Sequence, residues 1–266
     1  MLLNRHKISE FGLFLDEPNN RKSDFLIPGV ISFLVFFFSF SPAFGLSIPE
    51  RLAYDLTWTG VKAGTATLEI RPGEGGDSII STAKSADWVS VFYTVDDRIE
   101  VQLSRPAPPG IVGLPLHYHI RIREGRHRRN KEVAFDQPRR KAFYSDLIDK
   151  EKKEIDLKND VFDALSSFYY VRTLTLEVGK SVFVDVLDSK KLWNVEVQVL
   201  RKEKITTNLG TFDTVVIKPL MKSEGIFNRK GDLYIWLTDD AGRLPVKMQT
   251  KVAVGHITAT LVSVDR

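Results

Sequence analysis

The sequence predicts an all-β protein with one helix, folded as a single antiparallel barrel or strongly curved sheet over residues 46–266. Three observations predict it. Apolar and polar residues alternate with period two through most of the chain, clusters of turn-forming residues separate the alternating runs, and one segment alone has helical spacing. Many short strands at such intervals suit a sandwich or barrel better than an α/β enzyme fold.

Taken in order, Leu52–Ile70 alternates and is broken near Gly60 and Gly64, which reads as a hairpin. Strands are expected next at Ser78–Lys84, Val95–Leu103, Leu116–Arg123, Lys131–Phe135 and Lys141–Tyr144. Further strands are expected at Ser181–Leu187, Leu192–Glu203, Thr211–Lys218, Gly231–Leu237, Leu244–Val252 and His256–Val264. Turn signals fall between them at Gly73–Gly76, Asp136–Pro138, Asp188-Ser189 and Asp239–Gly242. The runs AGTATLEI from Ala63 and GHITATLVSV from Gly255 share a small, threonine-rich alternation. They read as two similar strands near sheet ends, where small side chains suit close packing.

The helical segment is NDVFDALSSFYYVRTL, with apolar residues at Val161, Phe162, Leu165, Phe168 and Tyr169. Asp160 is the expected N-cap, and Asp163 falls in the first turn, where the helix dipole favours negative charge. A lone amphipathic helix in a β-rich chain plugs or flanks a curved sheet, with Phe162, Leu165 and Phe168 as the expected contacts. Two longer loops follow no strand pattern: Ser104–Pro115, rich in proline, and Pro219–Gly231, which sets Met221, Ile226 and Phe227 among charges.

Composition narrows the function classes. The chain has 266 residues, no cysteine and a formal net charge of +4. Disulfides, thiolate metal sites, a cysteine nucleophile and a lipid-anchoring lipobox are all excluded. The charge is far from the concentrated basic footprint of a nucleic-acid binder. Phe25–Gly45 holds no charged residue and follows Arg21 and Lys22. The basic flank, apolar run and small-residue end at Ala43-Phe44-Gly45 read as a signal peptide with an extended n-region, residues 1–45, cleaved after Gly45. The expected location is the periplasm, and the alternative is an uncleaved inner-membrane anchor, for which the run is just long enough.

Gly231–Leu261, with Ile235-Trp236, Asp239-Asp240, Arg243, Pro245 and Gly255, resembles the last hairpins of a bacterial family of exported proteins catalogued as domain of unknown function 3108. YDLTWTGVKAGTATLEI, EGRHRRNKEVAFD and DVFDALSSFYYVR extend the resemblance over about Leu52 to Val264. It implies an exported β-rich protein with a strongly curved or barrel-like sheet, and it brings no reaction, ligand or catalytic residue. The IWLTDDAGRLPVKM hairpin is also similar to those of periplasmic lipoprotein-carrier proteins, whose half-open barrels hold acyl chains.

The densest cationic stretch is Leu116–Val133. Residues two apart on a strand share a face, so His117, His119, Arg121 and Arg123 are expected on one side and Leu116, Tyr118, Ile120 and Ile122 in the core. A turn over Glu124–Asn130 adds Arg126, His127, Arg128 and Arg129. His117, His119, Arg121, Arg123, Arg126, Arg128 and Arg129 are the candidate headgroup-binding residues, because guanidinium groups match phosphate bidentately. The plainer reading, a solvated face that keeps an exposed sheet from aggregating, is preferred. His117 and His119 lack an evident third ligand and stand beside arginines that repel a cation, so no metal is expected.

Other motifs read as structure. Asp239-Asp240 sits in a turn that favours aspartate, Ser166-Ser167 has no nucleophile elbow, and no phosphate-cradling glycine loop occurs. Trp58, Trp88, Trp193 and Trp236 read as core or rim aromatics. No catalytic residue and no cofactor is expected. The leading function is a non-enzymatic periplasmic protein binding a hydrophobic or amphipathic, lipid-like ligand in cell-envelope biogenesis. Its candidate partners are that ligand and an anionic envelope surface, not nucleic acid, and the oligomeric state stays open. The alternatives are a structural or protein-interaction module with a filled barrel, and an enzyme acting on envelope glycans or lipids. Cavity size separates the first two, since small barrels fill themselves and ligand barrels leave a pocket.

Overall fold

The computed structural model describes residues 46–106, 112–220, 232–252 and 254–266. The segment expected to be a signal peptide and the exposed apolar residues of the 219–231 loop lie outside these. Among the described residues no helix is long and apolar enough to cross a membrane.

The first half of the chain is a meander of eight strands. They are β1 (Glu50–Trp58), β2 (Val61–Arg71), β3 (Ser78–Ser85), β4 (Asp96–Leu103), β5 (Pro115–Glu124), β6 (His127–Asp136), β7 (Lys141–Asp146) and β8 (Lys152–Asp156). The second half is a meander of six: β9 (Ser181–Asp188), β10 (Lys191–Thr207), β11 (Gly210–Leu220), β12 (Leu233–Thr238), β13 (Pro245–Lys251) and β14 (His256–Asp265). Antiparallel pairing of β1 with β14 joins the halves into one 14-stranded sheet that runs from β8 through the central β1–β14 pair to β9. Thirteen of these strands match expected ones. The unexpected one is β8, whose sequence KKEID carries four charges and leaves four of its five residues exposed, so no alternation marks it. A charged, short edge strand of this kind resists pairing with other chains.

Two helices interrupt the strands. α1 (Asp87–Ser90) is a single turn between β3 and β4 that the sequence pattern did not announce. α2 (Ala164–Arg172) is the expected helix, one turn shorter at its start. Its N-cap is Asp163 rather than Asp160. The Asp163 carboxylate accepts from the backbone N–H of Leu165 and Ser166 at 2.8 and 3.0 Å, and the Ser166 hydroxyl donates to it at 2.5 Å. Asp160 is instead ion-paired with Arg140 at 2.7 Å. Burial pushes the Asp163 carboxyl above its ordinary range, against the opposing pull of the Ser166 hydroxyl.

The sheet curls round α2, which packs on β9, β3 and β4. Its edges are bridged by the segment leading into the helix rather than by pairing of β8 with β9. Leu157 N–H donates to the Arg140 carbonyl, Gln137 Nε2 to the Val161 carbonyl, and Phe162 exchanges two backbone bonds with Asp185 and Leu187 of β9. Lys190, in the β9–β10 turn, reaches Glu151 beside β8 at 2.7 Å.

Two apolar cores lie on the inner face. One is built mainly on β1 to β8 and β14, takes in Leu165 and Tyr169 of the helix and also Leu187, Val216, Trp236 and Val246, and the other spans β9 to β12 and takes in Phe162 and Val171. Phe168, Tyr170 and Met248 touch both. Of the three expected helix contacts, Leu165 and Phe168 sit on α2. Phe162 precedes it and stacks on Tyr170 with centroids 4.5 Å apart.

Candidate functional site

The two cores do not meet. Between them, under α2, lies a half-enclosed cavity of about 330 Å³. That volume falls at the lower end of the range typical of small-ligand pockets. Its deep wall is buried and apolar: Tyr54 and Leu68 on one side, Val184, Val195 and Ile217 on the other, and Leu165 on the helix. Leu56, Ala83, Phe168, Leu233, Thr250 and Ile257 also line it but are half-exposed, and all but Phe168 stand at the same end of their strands. The cavity therefore opens at the end of the sheet formed by the β1–β2 and β13–β14 turns and α1. Among the described residues no charged side chain lines it. The polar lining groups are neutral (Ser81, Thr82, Ser167, Gln249 and Thr250), besides the Tyr54 hydroxyl, which donates to the Pro245 carbonyl at 2.9 Å.

Small side chains make the space. Ala66 on β2 pairs with Tyr54 of β1, and Ala259 on β14 pairs with Leu56 of β1, so alanines flank β1 on both sides at the cavity floor. Ala83 on β3 and Ala164 and Ser167 on the helix continue the set. The two threonine-rich runs are thus the central neighbours of β1, not strands near sheet ends. Their small residues leave room above the sheet instead of allowing close packing. This was the signal in the sequence that pointed to the site, and its sense was reversed.

The cationic hairpin is elsewhere. The turn is only Gly125-Arg126, and β6 begins at His127, so the expected Glu124–Asn130 turn is mostly strand. Arg123 pairs with Arg128, Arg121 with Asn130 and His119 with Glu132, which places Arg121, Arg123, Arg128, His117 and His119 together on the outward face. Arg129 pairs with the buried Ile122 and so leaves that group for the inner side, where its Nε donates to His127 Nε2 at 2.7 Å. Arg126 is exposed in the turn. Leu116 is exposed rather than in the core, because a bulge where β4 meets β5 inserts it between Pro115 and His117. The outward face is mixed in charge: His119 Nε2 meets Asn130 Oδ1 at 2.8 Å, Glu132 lies 4.0 Å from both histidines, and Arg98 is bonded to Glu100. None of the seven candidate residues lines the cavity. Among the described residues no three His, Asp or Glu side chains converge as a metal site would require.

Two polar groups escaped sequence reading. Arg172, the last residue of α2, is fully buried and forms a bidentate pair with the equally buried Glu50 at 2.8 and 3.0 Å. It also donates to the carbonyls of Arg243 and Gly242, which ties the helix end to the start of β1 and the β12–β13 turn. In a sequence, this arginine is one among many. Asp97, facing inward on β4 beside Ala83, accepts from the backbone N–H of Arg123 at 2.9 Å. Burial raises its carboxyl from 3.8 to about 6, helped by the nearby Glu124 and Asp96 charges. Asp239-Asp240 does take the expected turn role: Asp240 Oδ1 accepts from Gly242 N–H, Arg243 N–H and the Thr238 hydroxyl.

Comparison with curated proteins gives no match. Among solved structures, the chain is similar to a β-barrel-like protein of domain of unknown function DUF1849 from Brucella abortus. The TM-score is 0.52 at 11% identity, covering 83% of this chain and 98% of that one. At that identity the likeness concerns the fold alone. A putative exported protein with a YmcC-like fold from Bacteroides fragilis also aligns, at a TM-score of 0.31 and 11% identity, over 84% of this chain and 98% of that one. The sequence matches the family described as protein of unknown function (DUF3108) over residues 53–262. With the match running through every strand of the sheet, the chain belongs to the DUF3108 family.

Proposed function

We propose that this is a non-enzymatic, exported protein that holds the apolar part of a lipid-like molecule in the cavity beneath α2. The carrying observation is an open, uncharged cavity of about 330 Å³ at the centre of the molecule, lined by the aliphatic residues of both sheet halves. Each methylene moved from water into such a lining contributes about 0.8 kcal/mol. The described lining residues offer no cation or anion for a headgroup, so the charged end of an amphipathic ligand stays at the mouth. Absence of charged groups among the lining residues also weighs against the enzyme reading, because acid–base work on glycans or lipids needs a titratable group at the reacting atoms.

Native mass spectrometry of the protein purified without detergent from its own host tests the reading. A retained mass in the lipid range is expected, lost in Ala259→Phe, whose ring enters the cavity. Fluorescent fatty-acid uptake should fall in the same variant while the melting temperature holds. An unladen protein that also takes up no fatty acid would favour the interaction-module alternative.

A further inference from the structure

The end of the sheet at which the cavity opens also carries an apolar projection that no other described residue covers. α1 is anchored by Val89, which is buried, and by the Trp88 indole, whose Nε1–H donates to the Lys62 carbonyl at 2.9 Å. With its polar atom satisfied, the Trp88 ring remains exposed beside Phe92, at 5.9 Å between centroids. Val91 is 86% exposed and Phe92 63% exposed, and Val61 at the start of β2 is also exposed. The exposed tryptophan, phenylalanine and valines gather on α1, just after it and at the start of β2. They match insertion into a deformable surface, where aromatic rings sit at the boundary between apolar and polar layers.

The arginine turn stands beside this projection. Gly125 N–H donates to the Thr94 carbonyl at 2.7 Å. Gly125 has φ +55°, and a Cβ there would meet the Tyr93 ring at 2.8 Å, so the turn is pressed against the connection from α1 to β4. Arg123, Arg126 and Arg128 are exposed on it. Local acids are partly answered by other groups: Asp55 pairs with Lys62 at 2.7 Å, Asp96 stands opposite Lys84 in the sheet register, and Asp87 lies in the first turn of α1. Asp97 and Glu124 stand beside the turn as well, and Arg129 joins the three arginines against them, so the positive excess is small.

We propose that α1 and the β5–β6 turn together dock this end of the protein on an anionic lipid bilayer, Trp88, Val91 and Phe92 entering the headgroup layer and Arg123, Arg126 and Arg128 meeting lipid phosphates. Docking in this pose sets the cavity mouth against the bilayer. The docking itself stands whether or not the cavity holds a ligand; only transfer of a lipid between the two rests on the reading above.

The chain has no cysteine, so Val91→Cys carries a polarity-sensitive fluorophore at one place, and Leu209→Cys in the β10–β11 turn at the opposite end serves as control. The full chain is used. Phosphatidylglycerol vesicles should blue-shift the label at 91 and not the one at 209, and phosphatidylcholine vesicles should shift neither. Each Arg→Gln change at 123, 126 and 128 should weaken the response about fivefold at low salt. No shift at 91, equal shifts at 91 and 209, or equal shifts with both lipids would overturn the proposal. A shift that grows with protein concentration without vesicles would assign the projection to a second copy and overturn it too. Fatty-acid uptake measured on the same labelled protein separates a failure here from a failure of the cavity reading.

Discussion

Arg172 and Glu50 form a closed electrostatic unit inside the protein, and its energetics follow from burial. Taking two charges out of water costs more than an exposed pair returns, so the pair is held by geometry: two hydrogen bonds between them and two more to carbonyls. Arg172→Met strands the Glu50 carboxylate with only Arg266, 3.4 Å away, as partner. Chemical denaturation should show a loss of about 3–5 kcal/mol. Adding Glu50→Leu should recover much of it, though the Arg243 and Gly242 carbonyls still lose the bonds from Arg172. If the double variant were no better than the single one, the cost would lie in those carbonyls.

Asp97 sets a second residue-level expectation. Its carboxyl is raised from 3.8 to about 6, so between those values the folded protein holds a proton that the unfolded chain has lost. Its contribution is therefore fully present below about pH 4 and declines until about pH 6, above which it is constant. Because the group is only partly buried, the penalty at pH 7 is about 1 kcal/mol after screening. Asp97→Asn keeps an oxygen for the Arg123 N–H and should melt higher at pH 7 but not at pH 4. Equal gains at both values would show that the charge was not the cause.

Among the elements, the helix decides whether the molecule has an interior at all. Leu165 faces both the first core and the cavity. Leu165→Asp should destabilise by several kcal/mol in a thermal or urea melt, since the charge has no partner among the apolar lining; an unmoved midpoint would mean that α2 does not pack there. The strands, their order of appearance and this helix were legible because each has a periodic apolar face. What escaped lacks one: α1 is a single turn, and β8 is nearly all charge. Faces were legible only where the register is regular, so the bulge that exposes Leu116 and the early start of β6 that turns Arg129 inward were hidden. The cavity was written in Ala66 and Ala259, but small residues signal close packing and open space alike until their neighbours are placed. Arg172 could be recognised as buried only once Glu50, 122 positions away, was beside it.

At the scale of the molecule, export remains a prediction with a direct readout. N-terminal sequencing of the protein recovered from its host envelope should begin at Leu46, and an intact N-terminus in the membrane fraction would point to the anchor instead. The topology adds a different demand. Among the described residues the first strand, β1, and the last, β14, are neighbours at the middle of the sheet, with Leu52 opposite Val264. A chain delivered N-terminus first can build its eight-strand meander early, yet β1 keeps a bare edge until β14 arrives. For that interval the sheet's future centre is its stickiest margin, a row of unpaired peptide groups open to any other strand. Closure then comes from the last of the sheet's described strands to be made, like the final stave driven into a cask. Deleting β14 would leave two meanders joined through the helix connection, each with a raw inner edge, and aggregation rather than loosened packing would be the outcome.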